Sequence, residues 1–257
     1  MNSRLITLIV VGMFALALAP RLSGARVQES RFGDELRERD EIRQSYQLSP
    51  GASIEVSGIN GPVEIDTAAS ATAEVHIIRS ANTQEDLSHH RITVDASPSS
   101  LIVRGEDDRS RARVRQHVML TVPRASSLKV SGVNGRVKAG EFDGAVTVSG
   151  INGKVEVGQA TGYSSVTGVN GAITITLARL GERGLHMSGI NGSIELKFAD
   201  DLNAELEVNS INGHVYTEVP NVTMQGKWGP TSFHARIGSG GAPITISGVN
   251  GRIRLTK

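Results

Sequence analysis

The 257-residue chain has no cysteine, few aromatic residues and almost no net charge. Without cysteine there are no disulfides, so the core and the backbone hydrogen bonds must hold the fold together. Phe, Trp and Tyr make up only 4% of the residues, which argues against a binding surface of stacked aromatic rings. The 27 Lys and Arg nearly balance the 26 Asp and Glu. We therefore expect neither a nucleic-acid footprint nor a polybasic surface for anionic lipids.

Long apolar runs are also scarce, and the one at the N-terminus is short for a membrane span. It extends over fifteen residues from Leu5 to Ala19, whereas a spanning helix needs about 20. Pro20 and the small residues Ser23, Gly24 and Ala25 follow it, as at the cleavage site of a signal peptide. We predict a signal peptide over residues 1–25 and export to the periplasm or the cell surface, with an uncleaved N-terminal anchor as the alternative.

The rest of the chain divides by composition into a charged segment and a strand-rich segment. Residues 26–47 carry many charges of both signs and little apolar periodicity, which predicts a charged linker or tail. From residue 48 onward, short runs of Val, Ile and Leu alternate with polar residues between Gly and Ser, as in strands. We predict one all-β domain over 48–257. It contains an antiparallel capping region at 48–124 and a repeat array at 125–257.

A seven-fold repeat of an Asn-Gly pair dominates the sequence. The pair is preceded by small residues and an apolar residue, and Val or Ile alternates after it. The copies are Asn60, Gly61; Asn134, Gly135; Asn152, Gly153; Asn170, Gly171; Asn191, Gly192; Asn212, Gly213; and Asn250, Gly251. From Asn134 onward the asparagines are 18, 18, 21, 21 and 38 residues apart. The last interval is about two periods, and we interpret Gly226–Pro230 within it as a copy that has lost its motif.

The strands on each side of the pair have one apolar face, and two geometries would suit them. An Asn-Gly pair is a strong signal for a hairpin turn. It also suits the corner of a β-solenoid, where each strand pairs with the coil above it. The coil-like period, the apolar residue directly before Asn and the recurrent Ser, Thr or Asn three residues before it favour the solenoid. We predict coils of about 18–21 residues, an asparagine ladder and glycine corners at positive φ.

The order of these motifs resembles the DUF4097 family of bacterial adhesin-like proteins. The resemblance begins at Tyr46-Gln47-Leu48-Ser49-Pro50-Gly51, continues through the repeats and ends at about residue 255. It implies a β-solenoid-like fold and a cell-envelope setting, and it brings no catalytic residues. We expect a non-enzymatic adhesin-like scaffold or interaction surface, whose partner is an unidentified envelope protein or polymer.

No pattern in the sequence identifies a catalytic residue, a cofactor site or a metal site. His89 and His90 lie near Glu85 and Asp86, but no fixed spacing makes these side chains converge on a metal ion. The Ser-Gly pairs recur with the repeat, which indicates a structural role rather than a nucleophile with an oriented base. We therefore expect no cofactor and no metal.

A column of carboxylates on the array supports the alternative function. Glu64, Glu156 and Glu195 each lie four residues after a motif asparagine and are predicted to point outward. Paired carboxylates in a groove would suit an envelope protein that binds or cleaves glycans. Outside a groove they would be ordinary solvated charge on a strand.

Three arginines form the sharpest charge pattern. Arg111, Arg113 and Arg115 alternate along one predicted strand, so they share one face. Guanidinium groups there would suit phosphate or carboxylate groups of a partner. The alternative interpretation is an exposed strand whose charges prevent edge-to-edge aggregation.

Overall fold

The computed structural model describes residues 38–106, 114–177, 179–199, 201–220, 222–224 and 232–257. The predicted signal peptide, the first part of the predicted linker, Arg111, Arg113 and Gly226–Pro230 lie outside the described residues. No helix in the described ranges has the length and apolar content needed to span a membrane.

Strands make up 70% of the structure and helix 3%, so the predicted all-β class is confirmed. The strands before the array are β1 (Glu38–Gln47), β2 (Ser53–Ser57), β3 (Val63–Ala68), β4 (Thr72–Ala81), β5 (Ile92–Ser97), β6 (Ser100–Gly105) and β7 (Arg115–Pro123), with helix α1 (Gln84–His89) between β4 and β5. The array contains β8 (Ser127–Asn134), β9 (Val137–Phe142), β10 (Val146–Asn152), β11 (Val155–Ala160), β12 (Ser164–Asn170), β13 (Ile173–Leu177), β14 (Leu185–Phe198), β15 (Ala204–Thr217), β16 (Val222–Met224), β17 (Ser232–Ile237) and β18 (Ala242–Thr256).

Strands from neighbouring copies of the motif pair in parallel and in register. Asn152 pairs with Asn134 on one side and with Asn170 on the other. We call the strands before the asparagines row A; they are β2, β8, β10, β12 and the first halves of β14, β18 and β15. We call the strands after the asparagines row B; they are β3, β9, β11, β13 and the second halves of the same three. The strands belong to one sheet that is nearly closed and barrel-like.

The strands on each side of an Asn-Gly pair do not form a hairpin in the described array. In row A, β8 pairs with β2 and β10. In row B, β9 pairs with β3 and β11. The pair is therefore a corner that carries the chain from one row to the other, and the hairpin alternative is wrong for these copies.

The core lies between the two rows and is built from the predicted apolar positions. Val148 and Ile151 of row A and Val155 of row B are each at most 1% exposed. Phe142 and Leu177, at the ends of row B strands, are exposed to the same small extent. Burial of one such side chain stabilises the fold by about 1.5–3 kcal/mol. Because every copy repeats these positions, the rows share one continuous apolar core.

The last two copies stack in an order that differs from their order along the chain. Strand β18 pairs with β14 on one side and with β15 on the other, so Asn250 lies between Asn191 and Asn212. The long interval before Asn250 contains β17, which pairs antiparallel with β15, and β16, which pairs antiparallel with β17. Our interpretation of this interval as two periods of the array is therefore wrong, because the chain reverses in β17 and then places its last strand between β14 and β15, parallel to both.

A glycine turn makes this insertion feasible by carrying the chain across the start of β15. Gly238, Gly240 and Gly241 have φ values of 61°, 82° and 156°, which residues with a Cβ rarely adopt. The amide of Ser239 donates a hydrogen bond of 2.8 Å to the side-chain oxygen of Asn203, just before β15. The turn thus connects β17 on one side of β15 to β18 on the other.

At the first end of the array each row continues with one parallel strand, β6 or β7, and then with antiparallel strands. Row A continues through β6 to β5, and row B continues through β7 and β4 to β1. Residues 38–47 form β1 and pair along the whole of β4, so the linker that we predicted to extend to residue 47 is corrected there. Ile42 and Tyr46 pack against the core, while charged neighbours face solvent. Such charge is typical of an edge strand and conceals the apolar face in the sequence.

Candidate functional site: a polar groove at the first end of row B

The outward side chains of β1, β4, β7 and β3 line an open groove of about 520 Å³. Backbone pairing places Arg43, His76, Met119 and Glu64 side by side across the four strands. Two residues further along each strand, a second line consists of Ser45, Glu74, Thr121 and Asp66. We call this surface the row B groove.

Arg43 and His76 are held at the rim of the groove by one carboxylate. The Glu41 carboxylate accepts a hydrogen bond of 2.7 Å from Arg43 Nε and lies 2.6 Å from His76 Nε2. Arg43, and after it His76, keep the pKa of Glu41 below its ordinary value because both stabilise its charged form. No local pattern in the sequence singles out these three residues, since only the β1–β4 pairing brings them together.

Three carboxylates, those of Glu64, Asp66 and Glu74, line the groove. Glu64 Oε1 lies 3.4 Å from His117 Nε2, in poor alignment for a hydrogen bond. Asp66 lies 3.9 Å from Lys138 Nζ, and Glu74 faces Asp66 across β7. The side chains of Glu64 and Asp66 are 40% and 68% exposed.

The other two predicted glutamates do not reach the groove. Other residues of row B lie between the three glutamates. Lys138 lies between Glu64 and Glu156, and Thr174 lies between Glu156 and Glu195. Arg136 donates a hydrogen bond of 2.6 Å to Glu156, and Lys154 forms an ion pair with it. Lys154, and after it Arg136, hold the pKa of Glu156 below its ordinary value.

We expect the carboxyl group of Glu156 to titrate at a lower pH in the folded protein than in the unfolded chain. A lowered pKa stabilises the fold above the unfolded pKa, and this contribution is lost as the pH falls through the folded pKa. NMR titration of the side-chain carboxyl carbon measures the midpoint. Changing Lys154→Gln together with Arg136→Gln should raise that midpoint. An unchanged midpoint in the double variant would contradict the assigned cause.

The remaining candidate residues lie away from the groove or show no convergent site. Arg115 is exposed at the start of β7, on the outward side of row B. His89 Nε2 lies 3.9 Å from Glu85 Oε1, one turn along α1. Across the described ranges no three His, Asp or Glu side chains cluster closely enough to hold a metal ion.

The motif asparagines form a ladder along the corner between the rows. Asn134 donates to Asn60 at 3.2 Å, and Asn152 donates to Asn134 at 3.2 Å. The side-chain amide of Asn60 in turn donates to the carbonyl oxygen of Val114 at 3.2 Å, and its backbone amide donates to the side-chain oxygen of Gln116 at 2.8 Å. The start of β7 thus caps the ladder at its first end.

Each copy except that of Asn212 has two glycines, and they have different roles. The glycine after the asparagine has φ between 146° and 159° in six copies. A Cβ added to Gly171 would overlap the carbonyl oxygen of Gly153 in the copy below. The glycine two residues before the asparagine, such as Gly168 at φ 61°, is the left-handed one. A Cβ added to Gly168 would come no closer than 3.6 Å to backbone atoms. The sequence analysis did not assign this second glycine.

Fold and groove define the chain as an all-β repeat protein with an open polar surface. No family model matches it, and no curated protein matches it. A crystal structure of a "putative cell adhesion protein" from Clostridium sporogenes is 10% identical, with a TM-score of 0.48 over 85% of this chain and 100% of that chain. A "putative adhesin" from Bacteroides fragilis is 12% identical, with a TM-score of 0.33 over 84% and 97%. A "Putative lipid binding protein" from Parabacteroides distasonis is 10% identical, with a TM-score of 0.31 over 85% and 97%.

Proposed function

We propose that this chain is a non-enzymatic, exported protein of the cell envelope, which acts as an adhesin-like scaffold and binds its partner in the row B groove. Its architecture is a β-solenoid of the DUF4097 type with one motif copy per coil, supported by the parallel, in-register pairing of successive copies. The N-terminal apolar run supports export. The partner is an envelope protein or polymer, and no nucleic acid or cofactor takes part.

The observation that carries this proposal is the lining of the groove. Arg43 lies on β1, His76 and Glu74 lie on β4, and Glu64 and Asp66 lie on β3. Backbone pairing through β7 joins these strands, so the groups are held at fixed separations. An open surface of about 520 Å³ with donors and acceptors of both charges suits a polar chain that is bound along its length, and Met119 provides an apolar floor.

Binding to isolated envelope material tests this function. We expect the variant Glu64→Gln, Asp66→Asn, Glu74→Gln to lose most of the co-sedimentation with envelope fragments that the unchanged protein shows. A matched variant, Glu85→Gln, Glu141→Gln, Glu207→Gln, removes three carboxylates outside the groove and should bind like the unchanged protein. Equal binding by both variants would contradict a role for the groove.

The carboxylates of the groove also support a second candidate, a protein that binds or cleaves glycans. Asp66 and Glu74 lie on strands two spacings apart, about 10 Å between backbones, and the carboxyl groups of inverting glycosidases are about 6.5–9.5 Å apart. Release of reducing ends from envelope polysaccharide, abolished by Asp66→Asn or by Glu74→Gln, would favour this enzyme. Binding without release favours the scaffold.

A further inference from the structure

Row B ends at β15, and the far side of this strand has no pairing partner in the part of the chain that the structure describes. In an inner copy, the amides of Gly153 and Val155 donate to the carbonyls of Asn170 and Ala172 in the next copy. The corresponding amides of β15 belong to Gly213 and Val215. Because β18 pairs with the opposite side of β15, these amides face outward. We call Gly213–Thr217 the open edge.

The core is less well covered at the open edge than elsewhere. Val215 occupies the inward position that Val155 and Ile253 occupy in other copies, where each is fully buried. Val215 is only half-buried. Beside it, the outward side chain of Tyr216 is 48% exposed. One further strand on the open edge would complete the burial of Val215 and satisfy the outward amides.

Two arginines lie on the outward surface beside the open edge. Arg252 and Arg254 lie on β18 next to His214 and Tyr216. The Arg252 guanidinium is 6.0 Å from the centre of the Tyr216 ring, so it leans toward the edge. Within the described residues neither arginine has a carboxylate within 4.0 Å, whereas Arg136 and Lys138, further along row B, each have one.

A second copy of the chain cannot use this edge in the same way. Two identical antiparallel edges are related by a two-fold axis perpendicular to their sheet. Row A extends past β15 by two more strands, β17 and β16, which span about 10 Å. Both copies would place these overhanging strands in the same space. Beside this overhang, row B has space for an added strand of a smaller partner.

We propose that the open edge binds an extended acidic segment of another protein as an added β-strand. Its apolar side chains point inward onto Val215, and its acidic side chains point outward toward Arg252, Arg254 and His214. The segment is recognised by its alternation of apolar and acidic residues, since the backbone bonds are independent of sequence. This site is separate from the row B groove, which lies at the opposite end of the same row.

The test uses a short capped peptide in which valine and glutamate alternate, with a valine and lysine peptide for comparison. We expect the full-length protein to bind the glutamate peptide in fluorescence anisotropy and to bind the lysine peptide at least about tenfold more weakly. In hydrogen exchange, binding should protect the backbone amides of Gly213 and Val215. Exchange of the Tyr216 backbone amide should stay unchanged, since that amide already points toward β18.

Charge variants separate recognition at the open edge from nonspecific attraction. Arg252→Glu with Arg254→Glu should weaken the glutamate peptide by about tenfold or more. Arg136→Glu with Lys138→Glu, further along row B, should leave its affinity unchanged. Equal affinity for both peptides, binding without protection of Val215, or a dimer that protects Val215 without peptide would each overturn the proposal. Arg252→Gln with Arg254→Gln serves if the charge reversal fails to fold.

Discussion

A chain that ends at Gly241 should lose ordered structure from β15 through β17, although only one strand has been removed. Within the described residues β15 is joined to the rest of the array through β18 alone. The missing strand contributes Ile244, Ile246, Val249, Ile253 and Leu255, which are at most 1% exposed. Their burial stabilises the fold by an amount on the order of 10 kcal/mol. An array stacked in chain order would lose only its last coil.

Hydrogen exchange read by mass spectrometry measures this effect segment by segment. Amides of residues 204–237 should exchange freely in the truncated chain, while those of β8, β10 and β12 stay protected. Adding a synthetic peptide of residues 242–257 should restore protection, because the peptide supplies the missing central strand. A chain that lacks only Lys257 is the control and should behave like the full-length protein. Retained protection in β15 of the truncated chain would show that the inserted order is wrong.

Gly171→Ala should destabilise the fold by about 4 kcal/mol, because the new Cβ combines backbone strain with overlap of the copy below. Gly171 has φ 152°, and its Cβ would come within 2.7 Å of the carbonyl carbon of Gly153. That carbonyl belongs to a backbone held in register on both sides, so it cannot move away without opening the row. Urea unfolding followed by circular dichroism measures the change in the free energy of unfolding.

Gly168→Ala is the matched control in the same copy. It places a Cβ at φ 61°, where a left-handed residue costs about 1–2 kcal/mol, but the nearest backbone atom is 3.6 Å away. Gly168→Asn should cost less still, because asparagine tolerates this conformation. If both alanine variants lost the same free energy, contact between copies would not be the reason for the glycine after the asparagine.

Much of the fold follows from local patterns in the sequence. Alternation around each asparagine places Val148 and Val155 on inward faces, and both are buried. The Asn-Gly pair requires a turn, and the structure has a corner there. These inferences succeed because a strand shows its faces in a two-residue period that needs no knowledge of distant residues. The charged face of β1 was misinterpreted for the same reason, since a strand at an edge reveals its apolar side only against a partner.

The groove could be anticipated only in part. Glu64 was singled out by its place in the repeat, but Arg43, His76 and Glu74 belong to strands outside it. Their meeting depends on the antiparallel pairing of β1, β4 and β7. Such pairing is decided by loop lengths and by which strand edges remain unpaired, and the sequence of a single strand specifies neither.

By itself, the sequence determined that this protein is an all-β repeat whose Val and Ile columns form the core and whose Asn-Gly pairs turn the chain. Those properties are local, since each copy needs only its own residues to specify an apolar face and a corner. The tertiary structure alone decided where the last copy lies, which strand edges stay open and which polar side chains share a groove. Strand order depends on which chain segments reach each edge of the sheet as it forms. Because the copies of the motif are similar, their sequences do not determine which copies become neighbours.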